Sequence, residues 1–197
     1  MIHVYGVVEE LQELPPVAGV DGAPLERRRV DDLELVVSDG EGAAVTQQAV
    51  LRHAEVVEGL MSRSAAVLPA QFGRPFDDEE ELAAAIRTKA RELERGLERV
   101  RGCVEFGLRV AAPGDPPAAR SGTEYMRTRL LQEQALAGLH EPLSRLSRAA
   151  RRGAYLVSTE NVEAFKEAVR RVQGENPELT IVCTGPWPPY SFGAEEA

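Results

Sequence analysis

The side chains that most often do chemistry in proteins, histidine and cysteine, are few and scattered in this sequence. His3, His53 and His140 are far apart, and no two of them have the four-residue spacing of a metal-binding helix. Cys103 and Cys183 have no histidine near them in sequence, so only the fold can bring such a pair together as a cysteine nucleophile requires. We therefore predict no catalytic residue, no metal site and no cofactor, and we predict that the chain is not an enzyme.

The glycine-rich and acidic segments are explained without a ligand. Gly19-Val20-Asp21-Gly22 and Gly40-Glu41-Gly42 match neither the phosphate-binding loop nor the dinucleotide fingerprint, and tight turns account for their glycines. The acidic run at residues 77–81 lacks the spaced oxygen ligands and the turn glycine of a calcium loop. Because the helix dipole favours acidic side chains at a helix N-terminus, this run predicts the start of a helix.

The composition favours a globular protein that binds neither nucleic acid nor membrane. Lys and Arg number 23 against 32 Asp and Glu, and the resulting formal charge of −9 opposes contact with phosphates. We interpret the basic run Arg27, Arg28 and Arg29 as a solvated loop before a strand. No stretch approaches the ~20 apolar residues that cross a bilayer, and the N-terminus lacks the basic segment of a signal peptide. Two isolated cysteines fit a reducing compartment, so we predict a cytoplasmic protein.

Apolar periodicity predicts strands and two amphipathic helices in the first half of the chain. Four strands are expected, at residues 2–8, 16–20, 33–37 and 64–69. Thr46 is placed to cap a helix that ends near residue 63. The core face of that helix is predicted to carry Val50, Ala54, Val57 and Met61. A second helix is predicted at residues 77–101, with an apolar stripe of Leu82, Ile86, Ala90, Leu93, Leu97 and Val100.

The second half of the chain predicts a smaller α+β domain. Strands are expected at residues 103–110, 154–158 and 179–184, and helices at 123–152 and 160–174. Residues 111–122 contain three prolines and two glycines, so they predict a loop. Three strands and two helices form one domain only if the strand at 103–110 belongs to it. We therefore predict domains at 1–101 and 102–185, each α+β and ferredoxin-like, with helices packed on one face of a mainly antiparallel sheet, and a C-terminal tail at 186–197.

Two segments rich in aromatic residues and proline do not fit an ordinary loop. The first, residues 67–76, contains Phe72 and Phe76, and the second, residues 184–192, contains Trp187, Tyr190 and Phe192. The three prolines of the second segment exclude a helix or a central strand and favour an extended chain. Such a segment either folds back and seals the core or exposes its rings to bind another protein. We predict these five aromatic residues as the partner-binding candidates.

Five segments, in order along nearly the whole chain, carry a family resemblance: VYGVV at 4–8, VLPAQFG at 67–73, GTEYM at 122–126, AYLV with VEAF between 154 and 165, and TGPWPPYSF at 184–192. In this order they resemble the gas vesicle protein F/L family, although Met126 stands where the family has leucine. The resemblance implies two ferredoxin-like α+β domains, no cofactor and no catalytic residue. It also implies a cytoplasmic protein, associated with gas vesicles, that binds the hydrophobic gas vesicle shell protein and other gas vesicle accessory proteins.

The function implied by this resemblance is that of an assembly factor and minor vesicle component that limits aggregation of the shell protein during nucleation. Two other functions stay open. Paired ferredoxin-like domains also occur in ligand-sensing regulatory proteins, for which a ligand should raise the melting temperature. An enzyme with a cysteine or carboxylate brought into a site only by the fold should show a strongly shifted pKa in a cleft.

Overall fold

The computed structural model describes residues 1–40, 45–111, 123, 140–151, 153–177 and 179–193. Contacts within the chain divide it into two compact units. Unit 1 comprises Met1–Cys103 together with Trp187–Ala197, and unit 2 comprises Val104–Pro186. The chain thus returns to unit 1 after completing unit 2.

Unit 1 is built on a four-stranded antiparallel sheet with the order β2-β3-β1-β4. Its strands are β1 (Ile2–Glu9), β2 (Glu26–Val30), β3 (Leu33–Asp39) and β4 (Ala66–Pro69), and its helices are α1 (Gln47–Met61) and α2 (Glu79–Val100). A short 3-10 turn, Val20–Gly22, lies in the connection between β1 and β2. Strand β1 pairs with β3 from Ile2 opposite Asp39 to Val8 opposite Glu34.

Both helices begin at side-chain caps, of which the sequence predicted Thr46 as a cap and the region of Asp78 as a helix start. The Thr46 hydroxyl accepts a hydrogen bond of 3.1 Å from the Ala49 amide at the start of α1. At the start of α2, Asp78 accepts a bond of 2.9 Å from the Glu81 amide, and the Glu81 carboxylate accepts one of 2.7 Å from the Asp77 amide. The interpretation of the acidic run as a helix start is confirmed.

Helices α1 and α2 cover opposite faces of the sheet. Val67 of β4 belongs to a buried cluster with Val56 and Leu60 of α1, whereas the next residue, Leu68, lies beside Gly96 of α2. Successive side chains of a strand point to opposite faces. A sheet covered on both faces needs apolar residues on both, which explains the near-continuous apolar sequences of β1 and β3. The expectation of helices on one face was therefore wrong for unit 1.

The core face of α1 is rotated from the predicted one. Its buried residues are Ala49, His53, Val56, Val57 and Leu60. Of the predicted face, Val57 is buried, Ala54 and Met61 are half-buried, and Val50 is 41% exposed. The pattern was misread because His53, a polar residue, occupies the middle of the core face. The stripe of α2 is confirmed at Leu82, Ile86, Leu97 and Val100, with Ala90 and Leu93 half-buried.

The arginine run and the predicted strand at residues 16–20 are corrected by β2. Residues 16–19 form no strand, and Arg27, Arg28 and Arg29 lie within β2, at the edge of the sheet. The Arg28 guanidinium pairs with Glu26 at 2.8 Å, with Asp39 at 2.7 Å and with Glu79 at the start of α2. An edge strand tolerates charged side chains, so ion pairs stabilise a segment that its polarity suggested was a loop.

Unit 2 contains a second four-stranded sheet, with the order β6-β7-β5-β8. Its elements are β5 (Cys103–Ala111), β6 (Ala149–Arg151), β7 (Ala154–Ser158), α3 (Val162–Glu175) and β8 (Thr180–Trp187). Helical residues 140–144 precede β6. This order of elements and strands is ferredoxin-like, whereas unit 1 has a loop between its first two strands and a helix after its last. The predicted class, two α+β units with helices on antiparallel sheets, is confirmed.

Three predictions for unit 2 need correction or lie outside the described residues. Residues 112–122 of the predicted proline-rich loop and most of the helix predicted at 123–152 lie outside them, whereas Ala111 is the last residue of β5. The end of that helix was wrong, because Ala149–Arg151 forms β6 and pairs with β7, with Ala149 opposite Leu156. Strand β8 also runs three residues beyond the predicted end, to Trp187. It lies at a sheet edge, where the missing amide of Pro186 is tolerated.

Candidate partner-binding site

The C-terminal segment, defined here as Trp187–Gly193, packs on α2 within unit 1. The Arg99 guanidinium donates a hydrogen bond of 3.0 Å to the carbonyl of Phe192, whose side chain is fully buried. A β-carbon on Gly96 would lie 2.9 Å from Leu68 Cδ1 and 3.0 Å from the Gly193 carbonyl oxygen. The missing side chain at Gly96 therefore lets the C-terminal segment approach the backbone of α2.

The C-terminal segment has a buried side and an exposed side. Pro188, Pro189 and Phe192 are buried, whereas Trp187 and Tyr190 are each 45% exposed. Between them the backbone turns tightly: the Tyr190 amide donates to the Pro188 carbonyl at 2.8 Å, and the Phe192 amide donates to the Pro189 carbonyl at 3.2 Å. Instead of a fully extended conformation, the prolines give a short 3-10 turn. The segment seals the core with one side and presents two aromatic rings with the other.

Tyr190 stays protonated at physiological pH. Burial raises the pKa of Tyr190 to about 12, and the Glu58 carboxylate of α1 adds to the increase. The residue as a whole is 45% exposed. Tyr190 therefore offers an uncharged aromatic surface with a hydroxyl donor, a combination that is common at protein interfaces.

The other two aromatic candidates hold the connection between β4 and α2 against the core. The Phe72 ring is half-buried and lies 5.4 Å from the His3 ring and 5.6 Å from the His53 ring, between centroids. Phe76 is also half-buried, and its backbone exchanges hydrogen bonds of 2.7 and 2.9 Å with Ile2. Of the five candidates, the structure thus exposes Trp187 and Tyr190 and places Phe192 in the core. A partner-binding role for the five stays a prediction.

A polar cluster between the sheet and α1 was not found from the sequence. His3 Nε2 lies 2.9 Å from His53 Nδ1, and His53 Nε2 lies 2.9 Å from the Ala70 carbonyl. A carbonyl only accepts, so His53 Nε2 carries a proton and donates to it; His53 Nδ1 then accepts from His3 Nε2–H. Only the fold brings the two rings together, because 50 residues separate them. The sequence offers no spacing signal for such a pair.

The histidine pair is held in its neutral form. Burial lowers the pKa of His3 to about 4, with a further contribution from neighbouring His53 that outweighs the opposing effect of Asp21. Burial also lowers the pKa of His53, against the opposing hydrogen bond to Ala70. Beside them the Tyr5 hydroxyl accepts a bond of 2.7 Å from the Val20 amide and lies 2.9 Å from the Ser38 hydroxyl. These contacts tie β1, β3, α1 and the turn before β2 together.

Among the described residues, the Cys183 thiol is not activated and no cluster of metal ligands is formed. Burial raises the pKa of the Cys183 thiol, which works against a thiolate nucleophile. Across the described parts of the chain, no group of three or more His, Cys, Asp and Glu side chains is placed to hold a metal ion. Among the helices of those same parts, none is both long and apolar enough to span a bilayer.

Comparison with known proteins identifies the family. The family model described as gas vesicle synthesis protein GvpL/GvpF matches residues 1–148 and 118–194. Gas vesicle protein F1 of Halobacterium salinarum is 32% identical over 208 residues, covering 99% of this chain and 96% of that protein. Gas vesicle protein L of a Streptomyces species is 29% identical over 223 residues, covering 92% of this chain and 79% of that protein. The chain belongs to the GvpL/GvpF family of gas vesicle proteins.

Solved structures of two relatives support the same fold. The crystal structure of the gas vesicle protein GvpF from Anabaena sp. PCC7120 has a TM-score of 0.80 at 16% identity, covering 100% of this chain and 97% of that chain. GvpF from Microcystis aeruginosa has a TM-score of 0.79 at 15% identity, covering 98% and 99%. At such low identity, the agreement concerns the fold alone.

The contact of the C-terminal segment with α2 predicts that Gly96→Ala destabilises unit 1. The added methyl group must displace either Leu68 or the Gly193 carbonyl, which should cost about 1–3 kcal/mol and exceed the roughly 1 kcal/mol that alanine gains in a helix. Gly174→Ala, in α3, is the matched control because nothing lies within 4 Å of the added methyl group. Urea unfolding should show a lower free energy of unfolding for Gly96→Ala than for the wild type, and no decrease for Gly174→Ala. Equal stability of the two variants would contradict the contact.

The histidine pair predicts a specific acid sensitivity. The pKa of His3 is lowered in the folded state, so between about pH 6.5 and pH 4 the unfolded chain binds more protons, and stability falls as the pH falls. His3→Gln keeps a donor at the position of Nε2 but cannot titrate. The difference in unfolding free energy between wild type and His3→Gln should therefore change by roughly 1–2 kcal/mol across this range. This figure is discounted because the His3 ring is partly exposed to solvent.

Urea unfolding at several pH values measures this difference. Leu51→Gln is the control, because Leu51 is an exposed residue of α1. It removes no titratable group, so it should keep the pH dependence of the wild type. If His3→Gln keeps the full wild-type dependence, the histidine pair is not the source of the acid sensitivity.

Proposed function

We propose that this chain is a cytoplasmic gas vesicle assembly factor and minor vesicle component, which binds the hydrophobic shell protein and limits its aggregation during nucleation. The observation that supports this most is the exposure of Trp187 and Tyr190 on a segment whose other side is buried. We assign the main contact with the shell protein to these two rings. Other gas vesicle accessory proteins are further proposed partners.

The rigidity of the C-terminal segment supports a binding role. Two buried prolines, the buried Phe192 ring and the hydrogen bond from Arg99 fix the backbone between the exposed rings. A prearranged surface loses little conformational entropy on binding, so more of the contact energy becomes affinity. Trp and Tyr are also the side chains most often found at the energetic centres of interfaces.

The distribution of charge supports a role in keeping an apolar partner dispersed. Unit 1 carries 12 Lys and Arg against 22 Asp and Glu, whereas unit 2 carries 11 against 10. The net negative charge of the chain therefore belongs entirely to the unit that presents the aromatic rings. Repulsion between acidic surfaces hinders association of one complex with another, whereas an uncovered apolar surface aggregates.

Co-expression with the main gas vesicle shell protein tests this function. We expect the shell protein to stay in the soluble fraction and to co-purify with the chain. A shell protein that neither binds nor gains solubility would contradict the proposed direct contact. The same pull-down with each accessory protein then determines whether one of those is the direct partner.

The partly exposed rings predict a loss of binding that exceeds the loss of stability. Trp187→Ala combined with Tyr190→Ala should reduce recovery of the shell protein by about tenfold, because both remove interface-type anchors. The melting temperature should fall much less than for Phe192→Ala, because about half of each ring is exposed. Leu51→Ala is the matched control, because Leu51 is a 62% exposed apolar residue on α1, outside the C-terminal segment. Equal recovery with the double variant and the control would contradict the assignment.

Phe192 predicts the opposite pattern. Its side chain is fully buried, so Phe192→Ala should cost about 3–5 kcal/mol of unfolding free energy. Any loss of binding by this variant should follow from its loss of folded protein. Thermal unfolding measured alongside the pull-down checks this. A variant that stays as stable as wild type would contradict the buried position of Phe192.

A further inference from the structure

Unit 2 contains an open groove between α3 and β8. Its volume is about 610 Å³, within the range of ligand and peptide sites. Phe106, Val169 and Ile181 form its buried floor, whereas Val182 on β8 is 48% exposed. Val182 is therefore the apolar side chain that this strand offers to a second molecule.

The strand that forms one wall of the groove lies at a sheet edge. Strand β8 pairs with β5, and among the described residues no strand pairs with its other side. An unpaired edge offers backbone amides and carbonyls to an added strand. Pro186 has no amide, so strand addition is limited to the part of β8 that precedes it.

A hydrogen bond links the two walls of the groove. The Gln173 side chain of α3 donates a bond of 2.7 Å to the Ile181 carbonyl of β8, so strand addition relies on the other backbone groups of β8. The buried side chains of Val169 and Val172 hold α3 against the sheet. A groove whose walls are fixed in this way needs little rearrangement to accept a chain.

The helix wall of the groove is basic. Lys166 and Arg170 line it, one helical turn apart. Lys166 pairs with Glu163 at 2.9 Å. The Arg170 Nε donates a long bond of 3.4 Å to the Lys166 carbonyl, and within the described part of the chain no carboxylate lies within ion-pair distance of Arg170. In a chain of formal charge −9, this wall is complementary to a negatively charged partner.

We propose that this groove is a docking site for an extended segment of another protein, which adds to the edge of β8 and carries at least one Asp or Glu opposite Arg170. The backbone of the segment pairs with β8. Alternate side chains of an added strand fall on one face, so apolar residues at every second position lie on the face of the sheet that carries Val182. The residues between them lie on the other face, where Ile181 packs with Val172 of α3. The carboxylate reaches the basic helix wall. This site belongs to unit 2, and its existence does not depend on binding of the shell protein by Trp187 and Tyr190.

The two cysteines provide a direct measurement of occupancy. Cys183 lines the groove and is half-buried, whereas Cys103 is 6% exposed. Iodoacetamide should therefore modify Cys183 first in the full-length chain, and a segment seated on β8 should slow that reaction. Peptide mapping by mass spectrometry distinguishes the two positions.

The test uses two blocked peptides, Thr-Val-Glu-Val-Glu-Val-Thr and its analogue with lysine in place of glutamate. The glutamate peptide should slow modification of Cys183 by about fivefold or more at saturation, and the lysine peptide should have little effect. Arg170→Glu should weaken protection by the glutamate peptide about tenfold and improve protection by the lysine peptide. Arg171→Glu is the matched control, because Arg171 is the next exposed residue of α3 and does not line the groove.

Four results would overturn the proposal. The first is no protection by the glutamate peptide at millimolar concentration. The second is an equal effect of Arg170→Glu and Arg171→Glu, which would mean that the peptide responds to the net charge of α3 and not to Arg170 in the groove. The third is a Cys183 as unreactive as Cys103 in the protein alone, which would mean that the groove is already filled. The fourth is protection that rises with protein concentration alone, which would make a second copy of the chain the occupant.

Discussion

The burial of β1 on both faces is the constraint on which the rest of unit 1 depends. Val4 and Val7, like the intervening Tyr5, are almost completely shielded from solvent, and a strand in that position requires a helix on each side. Helix α1 supplies one cover and α2 the other. Where α2 crosses the side chain of Leu68, Gly96 leaves space at the edge of the sheet, and the C-terminal segment fills it with Phe192 and Gly193. Only one side of the C-terminal segment packs into that space, so Trp187 and Tyr190 remain partly exposed to solvent. The exposed aromatic surface is thus a consequence of how the core is closed.

The α1 side of the same sheet is unusual in burying polar groups. His3 and His53 are neutral and hydrogen-bonded to one another and to Ala70, so the cost of removing their nitrogens from water is offset by these bonds. Hydrogen bonds are directional, and the histidine pair therefore specifies how α1 is oriented on β1 more narrowly than valine contacts alone. The Tyr5 hydroxyl does the same for the turn at Val20. This network explains why the core face of α1 includes a residue that hydrophobic periodicity assigns to the surface.

The sequence contains enough local information for most of the elements but not for their long-range partners. Strands β1 and β3 and the starts of α1 and α2 are predictable, because β-branched apolar runs and the caps Thr46 and Asp78 act within a few residues. Strand β2 was missed because its arginines depend on Asp39 and Glu79, far along the chain. For the same reason, composition identified the aromatic residues of the C-terminal segment, but only the fold separates the buried Phe192 from the exposed Trp187 and Tyr190. The aromatic residue type indicates that such a ring is either buried in the core or exposed to bind a partner. Which of the two applies depends on the contacts of the segment with Arg99 and Gly96.

The proposed role in assembly requires that the chain bind an apolar partner and later release it. In the described part of the chain, the large apolar side chains that are exposed lie on separate elements: the N-terminus, α1 and the residues just before it, β8 and the C-terminal segment. None of these elements presents the broad apolar surface of a permanent interface, which buries several times more area than two aromatic rings supply. Small contact surfaces favour weak and reversible binding, and a few anchors on a rigid base keep such binding selective. In the proposed role, concentration of the acidic charge in unit 1 limits association of the complexes with one another without strengthening the contact itself. Small, separate contact surfaces and a high net charge therefore fit the weak and reversible contacts that the proposed role in assembly requires.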